Sequence, residues 1–360
     1  CGCGVVFKLI QAHASTMGIE VQELQPYLDL VATASAADIV PILDENRVLT
    51  YFGMQVYQES PRPGLMALLG ERKQRAISVT DLVFRVAPRI NAAGRMKHGT
   101  YAVELLLSDN LEQATKRAEA IEVFNEDRKT LDREITEQAL AQIEESGQTD
   151  KASTVVYDPD WHKGVIGIVA SRLIETHYKP TVVFTRSGDV LTASARSVRG
   201  FDLYAALSAC QEHMIQFGGH KYAAGLTISP EQYAGFCKRF EEVVSKRIQP
   251  EQQERTLSID MEIPIAEITP KFYRIINQMA PFGPGNMRPV LLSKGVADRG
   301  YAKRVGSDET HLKCSFVAGN QSIDAIGFGL GYDLDIVQSS TCDIAYVVDE
   351  NEWNGKTSLQ

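Results

Sequence analysis

Residues 111–146, LEQATKRAEAIEVFNEDRKTLDREITEQALAQIEES, constrain the fold of this chain more than any other stretch. They contain neither glycine nor proline and are rich in good helix formers, so one continuous helix is expected. Ala114, Ala118, Ile121, Phe124, Leu131, Ile135 and Ile143 fall mostly at three- and four-residue steps, which makes one narrow apolar stripe. Asp109 with Glu112 predicts a capping box at the start, and Gly147 predicts the stop. At 1.5 Å per residue the helix would span roughly 50 Å, a spacer's length. Arg128 and Lys129 interrupt the stripe, which argues against a coiled-coil partner.

A chain of 360 residues organised around such a spacer is expected to hold two or three domains. Its 44% hydrophobic and 23% charged content is that of a globular protein, and no apolar run approaches the ~20 residues of a membrane span. No membrane partner is therefore expected. The opening CGCGVVFKLIQA carries neither an initiating methionine nor a basic leader, so a piece of a longer chain is expected. Six scattered cysteines read as reduced thiols of a cytoplasmic protein. The net charge of −9 argues mildly against a polyanionic ligand. Lys163, Arg172, Lys179, Arg186, Arg196, Arg199 and Lys221 nevertheless crowd one region, which predicts a local positive groove on an acidic body.

That region begins with YDPDWHKGVIGIVASRLIETHYKPTVVFT. A strand ending at Asp158, a turn with Trp161 and His162, a helix over 165–177 and a second strand describe a parallel crossover unit. LTASARSVRG then supplies Ser194, Arg196, Ser197 and Arg199. Guanidinium forks with neighbouring hydroxyls match phosphate oxygens in charge and geometry. In FGGHKYAAGLTI, Gly218, Gly219 and His220 precede an alternating apolar segment, as expected of a bare-backbone anion nest before a strand. The alternative is a tight turn with a surface histidine.

Elsewhere the signals are weaker. Residues 4–18 read as an amphipathic helix, residues 28–33 as an apolar strand, and residues from about 44–47 as the start of another helix. Asp38 then lies just past a strand end, where open α/β sheets bind ligands, or serves as a helix N-cap. PRINAAGR offers Arg89, Asn91 and Arg95 among small residues, either to phosphates or as a solvated capping turn. After Pro250, short alternating strands around one helix are consistent with an OB-like barrel. Its Tyr301, Lys303, Arg304, His311, Lys313 and Phe316 are candidates for single-strand contacts, Phe316 equally for the core. The ending TSLQ reads as truncated.

ATASAADIVPI, PRINAAGR, WHKGVIGIVASRL, SARS, GGHKYAAG and PFGPGNMRP, in this order, resemble the DHH phosphoesterase superfamily and, within it, the RecJ family of single-strand-specific exonucleases. The resemblance covers nearly the whole chain. It implies an α/β protein: the C-terminal part of a DHH-type parallel-sheet domain over 1–108, a connecting helix over 109–148, a DHH-associated domain over 149–250 and an OB-fold over 251–360. It implies 5′-to-3′ hydrolysis of single-stranded DNA in recombination and repair, with Mn2+ or Mg2+ in a two-metal site. Asp38 would be a metal ligand and, with His220, catalytic. Ser194 and Arg196, with Ser197 beside them, would hold the 5′ phosphate. Arg89, Asn91 and Arg95 would line the strand's path, Gly218, Gly219 and His220 would meet the scissile or terminal phosphate, and His162 would add a contact or cap its helix. Single-strand-binding protein or a helicase would be protein partners. No Asp-His-His cluster occurs in the 360 residues, so most metal ligands are absent and binding without catalysis is expected of this chain alone. Two alternatives remain: a DHH phosphodiesterase of short oligonucleotides or cyclic dinucleotides, and a non-catalytic nucleic-acid-binding module.

Overall fold

The computed structural model describes residues 1–70, 76–319, 321–353 and 355–360. The chain forms two compact units: Cys1–Pro61 together with Leu257–Gln360 and a short piece ending at Val83, and Phe84–Thr256 with a short piece beginning at Arg62.

The first unit opens with α1 (Gly2–Met17), ended by Gly18 in the left-handed conformation, then α2 (Leu28–Ala37) and α3 (Asp44–Glu59). The strand expected over residues 28–33 is instead the first half of α2. A short, mostly apolar run suits a buried helix as well as a buried strand, and packing decided the matter. Leu28, Val31, Ala32 and Ala36 are buried at helical spacing, and α3 comes so close that a Cβ on Gly53 would stand 2.3 Å from Leu28 O. Thr33 returns its hydroxyl to Asp29 O at 2.7 Å, which removes the β-branched residue's objection to a helix. The described residues before Thr154 carry helices and no strand.

The second unit is built on a helical layer and a sheet. After α4 (Pro63–Leu69) come α6 (Ala87–Met96), α7 (Thr100–Leu106) and the 35-residue α8 (Leu111–Glu145), whereas the single turn α5 (Val79–Asp81) lies in the short piece that belongs to the first unit. The capping motif lies one residue later than expected. Asn110 Oδ1 accepts from Gln113 N at 2.9 Å, and Gln113 Oε1 accepts from Asp109 N at 3.1 Å. The helix is covered at both ends: Ala114 and Ile121 are buried where α4, α6 and α7 pack, whereas Ile135, Ala139 and Ile143 share a core with Trp161, Val165 and Val169.

From there the chain runs through β1 (Thr154–Tyr157), α9 (Ile166–His177), β2 (Thr181–Ser187), β3 (Val190–Arg196), α10 (Leu203–Ser208), β4 (Gln216–His220), β5 (Ala223–Ile228) and α11 (Tyr233–Arg247). The sheet order is β1-β2-β3-β5-β4. β1 and β2 are parallel, joined by the crossover helix α9, and the remaining pairs are antiparallel. Ala193, Ala195, Ala224, Leu226 and Ile228 face one side, in a core with Phe236 and Phe240 of α11.

The first unit resumes with β6 (Met261–Glu262), α12 (Pro270–Asn277), β7 (Leu291–Asp298), β8 (Lys303–Val305), β9 (His311–Ala318), β10 (Gln321–Gly327), α13 (Leu334–Ser339), β11 (Cys342–Tyr346), β12 (Glu350–Trp353) and β13 (Lys356–Leu359). Six strands form one sheet in which β10-β9-β7-β11 are hydrogen-bonded in that order, with β6 on β7 and β8 on β9, while β12 and β13 form a hairpin. Val296, Leu312, Cys314 and Phe316 fill its core.

Candidate nucleic-acid interface

An open pocket of about 380 Å³ lies in the second unit where the C-terminal end of α6, the start of α9 and β3 meet, lined among others by Arg95, Lys163, Gly167, Thr192, Ser194 and Arg196. Thr192, Ser194 and Arg196 alternate along β3 and so share a face. Arg196 Nη1 donates to Ser194 Oγ and to Ala195 O, both at 2.9 Å. Arg95 Nη1 donates to Gly164 O at 3.1 Å and ties α6 to the turn before α9. Glycine is required there, because a Cβ on Gly164 would stand 2.5 Å from Arg95 O.

The first turn of α9 has no side-chain cap; Val165 N and Ile166 N donate to His162 O and Ile168 N to Val165 O, so this helix start offers the pocket chiefly the positive end of its dipole. Burial, and then the neighbouring charge of Arg95, lowers the pKa of Arg196 from its ordinary value, and burial followed by Arg128 does the same to Arg95. Both remain cations at neutral pH. Neither forms an ion pair with a carboxylate among the described residues. Uncompensated cations, hydroxyls and the positive end of a helix dipole are a recognition set for a phosphate group.

Beyond the pocket, the face of β3 that carries Ser194 and Arg196 continues onto β5 and β4. Ser194 pairs with Gly225 and Gly225 with Gly218, whereas Arg196 pairs with Ala223 and Ala223 with His220. Directly opposed residues point to the same face, so the side chains shrink to glycine and alanine between the pocket and His220. His220 stands two strands from Arg196, roughly 10 Å by inter-strand spacing. The GGH segment is thus part of edge strand β4 and not a loop before a strand. It is fixed by pairing with β5, so close that a Cβ on Gly219 (φ 153°) would lie 2.3 Å from Ala223 O. His220 Nδ1 accepts from Tyr222 N at 3.3 Å, which places the proton of the neutral ring on Nε2.

Other expected site residues are engaged in holding the fold. Arg89 is ion-paired to Glu122 of α8 and donates to Arg85 O at 2.6 Å. Ser197 gives its hydroxyl to Phe201 O at 3.1 Å and is not among the pocket-lining residues. His162 accepts from Gly164 N at Nδ1, 3.1 Å away, so it caps the turn entering α9. Asn91 is exposed on α6. The positive groove is smaller than the sequence suggests: Arg172 is bound to the buried Asp132, and Lys179 donates to three backbone carbonyls. Thr192 escaped the sequence reading, although its two-residue spacing from Ser194 signals it.

Asp38 lies in the first unit, exposed, as the C-cap of α2 and not at a strand end. Among the described residues, no three His, Cys, Asp or Glu side chains gather to hold a metal ion. One carboxylate does not hold two ions, so the described residues do not fit a two-metal centre.

The sheet of the first unit carries its own exposed patch. Lys303 and Lys313 are opposed across β8 and β9, a like-charge pair that costs stability without an anion. Tyr301 is 66% exposed with Arg299 over its ring at 6.0 Å, and Phe328 and Tyr332, absent from the sequence expectation, are 72% and 84% exposed. Phe316 is core.

Two family models match: the DHHA1 domain over residues 150–246 and the RecJ OB domain over residues 259–360. Single-stranded-DNA-specific exonuclease RecJ of Escherichia coli (strain K12) is 33% identical over all of this chain, which covers 66% of it. The protein of the same name from Bacillus subtilis (strain 168) is 32% identical, again over the whole chain and 45% of that protein. The crystal structure of RecJ in complex with Mn2+ from Thermus thermophilus superposes with a TM-score of 0.85 at 27% identity, over 99% of this chain and 51% of that one. The chain therefore spans about half to two thirds of the length of these relatives.

Proposed function

We propose, on the premise that the chain belongs to the RecJ family, that it holds a single DNA strand by its 5′ phosphate for metal-dependent, 5′-to-3′ exonucleolytic hydrolysis in recombination and repair. The observation that carries this reading is the pocket at Arg95, Lys163, Ser194 and Arg196, an uncompensated cationic site opening onto a strip of bare backbone.

Arg196 and Ser194 hold the terminal phosphate, with the start of α9 adding backbone dipoles. Arg95 lies along the strand's path. Gly225 and Gly218 let the sugar-phosphate backbone lie against the sheet, and His220 meets the next reacting phosphate, donating from Nε2. Asn91 and His162 are outer contacts, whereas Arg89 and Ser197 act through the fold. Asp38 would be one carboxylate ligand of a Mn2+ or Mg2+ centre, which would supply an activated water and stabilise the leaving oxygen. The chain divides as a DHH-domain part (1–108), a connecting helix (109–148), a DHH-associated domain (149–250) and an OB-fold (251–360) whose Tyr301, Lys303 and Lys313 track the strand. The setting is cytoplasmic, with single-strand-binding protein or a helicase as partners.

Fluorescence anisotropy of this chain with 5′-phosphorylated and 5′-hydroxyl single strands tests the pocket. Tighter binding of the phosphorylated strand is expected, and Arg196→Met should weaken it roughly 10- to 100-fold and erase the discrimination. Equal affinity for both strands would refute the reading. Manganese-dependent nucleotide release from short and long strands, measured on this chain and on a version joined to the missing metal ligands, tests the reaction: release only by the joined version, lost on Asp38→Ala, supports the metal role, and preference for short strands points to an oligonucleotide phosphodiesterase instead.

A further inference from the structure

The polar face of α8 is not fully accounted for by the contacts that hold the helix in place. Glu122, Asn125 and Arg128 follow one another at three-residue steps and so lie along one side. Glu122 takes Arg89. Asn125 is 1% exposed, donates from Nδ2 to Glu122 Oε1 at 3.1 Å, and accepts at Oδ1 from Arg128 Nη2 at 3.2 Å. Bonds at both ends fix which way the amide points, and its oxygen faces Arg128.

Arg128 itself is left short. Its Nε is buried without a hydrogen-bond partner, and no carboxylate forms an ion pair with it among the described residues. A buried donor on a cation with no acceptor costs stability, so a ligand that supplies one is the natural complement. Arg95 is carried by α6, which packs along α8, and the charge of Arg128 acts on Arg95 as that of Arg95 acts on Arg196. The three guanidinium groups thus follow one another from α8 through α6 to β3.

We propose that Arg128 is a further strand-binding residue, contacting the phosphodiester next to the terminal phosphate, and that Asn125 is the positioning residue that aims its guanidinium. The proposal rests on the reading of the pocket as a terminal-phosphate site. Charge supports it. A terminal phosphate carries about −1.5 to −2, whereas Arg95, Lys163 and Arg196 line the pocket and Arg128 adds a fourth cation. A single phosphate leaves part of that charge unmatched, and a second phosphate of the same strand matches it. The free Nε beside an Nη donor presents the two-pronged geometry that phosphate oxygens accept.

The test compares two probes on the 360-residue chain, a 5′-phosphorylated single strand and a 5′-mononucleotide, with Arg128→Met, Arg128→Lys and Arg196→Met. Arg128→Met should weaken strand binding roughly tenfold, leave mononucleotide affinity unchanged, and reduce the log–log salt slope by about 0.7, one phosphate contact on a single strand. Its Tm should change little, because removal of the unmatched buried Nε offsets the partner that Asn125 Oδ1 loses. Arg128→Lys should restore the salt slope without restoring full affinity. The inference is overturned if Arg128→Met lowers both affinities equally, changes neither, or lowers Tm in step with affinity. Arg196→Met separates this failure from that of the underlying reading. If it weakens both probes while Arg128→Met weakens neither, only the role of Arg128 falls, and if it weakens neither probe, the phosphate pocket falls and this inference with it.

Discussion

Substituting Gly167 by alanine should move stability and phosphate binding in opposite directions. Gly167 is the second residue of α9 and faces β3. A Cβ built there stands 3.0 Å from Ser194 Oγ and 3.1 Å from Arg196 Nη2, so both side chains must yield by a few tenths of an ångström. They can, because both are side-chain ends. Alanine in place of a helical glycine gains up to about 1 kcal/mol, and less in the first turn. Net stability should change by about 0 to +1 kcal/mol. The phosphate loses more: the methyl group occupies the floor of the pocket and displaces a guanidinium–hydroxyl pair now held at 2.9 Å. Losing one charge-assisted hydrogen bond is worth about 1.5–3 kcal/mol, roughly 10- to 150-fold in affinity. Urea denaturation gives the first quantity, and anisotropy with a 5′-phosphorylated strand gives the second. Unchanged affinity would show that phosphate does not sit between α9 and β3. A stability loss beyond about 1 kcal/mol would show that Ser194 and Arg196 are held too rigidly to yield.

Three further outcomes follow from other parts of the molecule. Asp298 accepts from the backbone N–H groups of Gly300, Tyr301, Ala302 and Ser315; burial opposes its charge, but these bonds outweigh burial and hold its pKa below the ordinary value. Its stabilisation is therefore complete above the ordinary aspartate range near about pH 4 and is lost as pH falls through the lowered folded value; Asp298→Asn should cost about 1.5–3 kcal/mol at neutral pH, with the difference from the native chain shrinking in acid, as read by denaturation across pH. Arg172→Met leaves the carboxylate of Asp132, 2% exposed, without its cation; because Arg172 is itself half-exposed, the expected loss is about 1–3 kcal/mol, below that of a fully buried pair, with DNA affinity unchanged. Lys303→Ala removes the repulsion across Lys303 and Lys313, so stability should hold within about 0.5 kcal/mol or rise, while single-strand affinity and its salt slope both fall; an unaltered slope would remove this patch from the strand's path.

Much of the second unit was legible in the chain because its signals are local. A glycine- and proline-free run predicts α8, a strand–helix–strand spacing predicts the crossover at α9, and alternation along β3 puts Ser194 and Arg196 on one face. Dihedral preference and side-chain period act within a few residues, so sequence carries them. The failures share one cause. Residues 28–33 became helix because α3 covers them on one side at backbone contact. The Gly-Gly-His step became an edge strand because β5 returns beside it. Arg89 and Arg172 left the groove because Glu122 and Asp132, 33 and 40 residues away, face them on α8. Conversely, Arg95 reached the pocket because Gly164, 69 residues on, admits its carbonyl, and Arg128 became a candidate only once its Nε was seen to be buried without a partner. Sequence by itself determined the long helix, the crossover unit, the family resemblance and the residue types suited to phosphate. Only tertiary structure decided which cations are already matched by protein and which remain for a ligand, because that balance is set by pairing and burial between segments far apart in the chain.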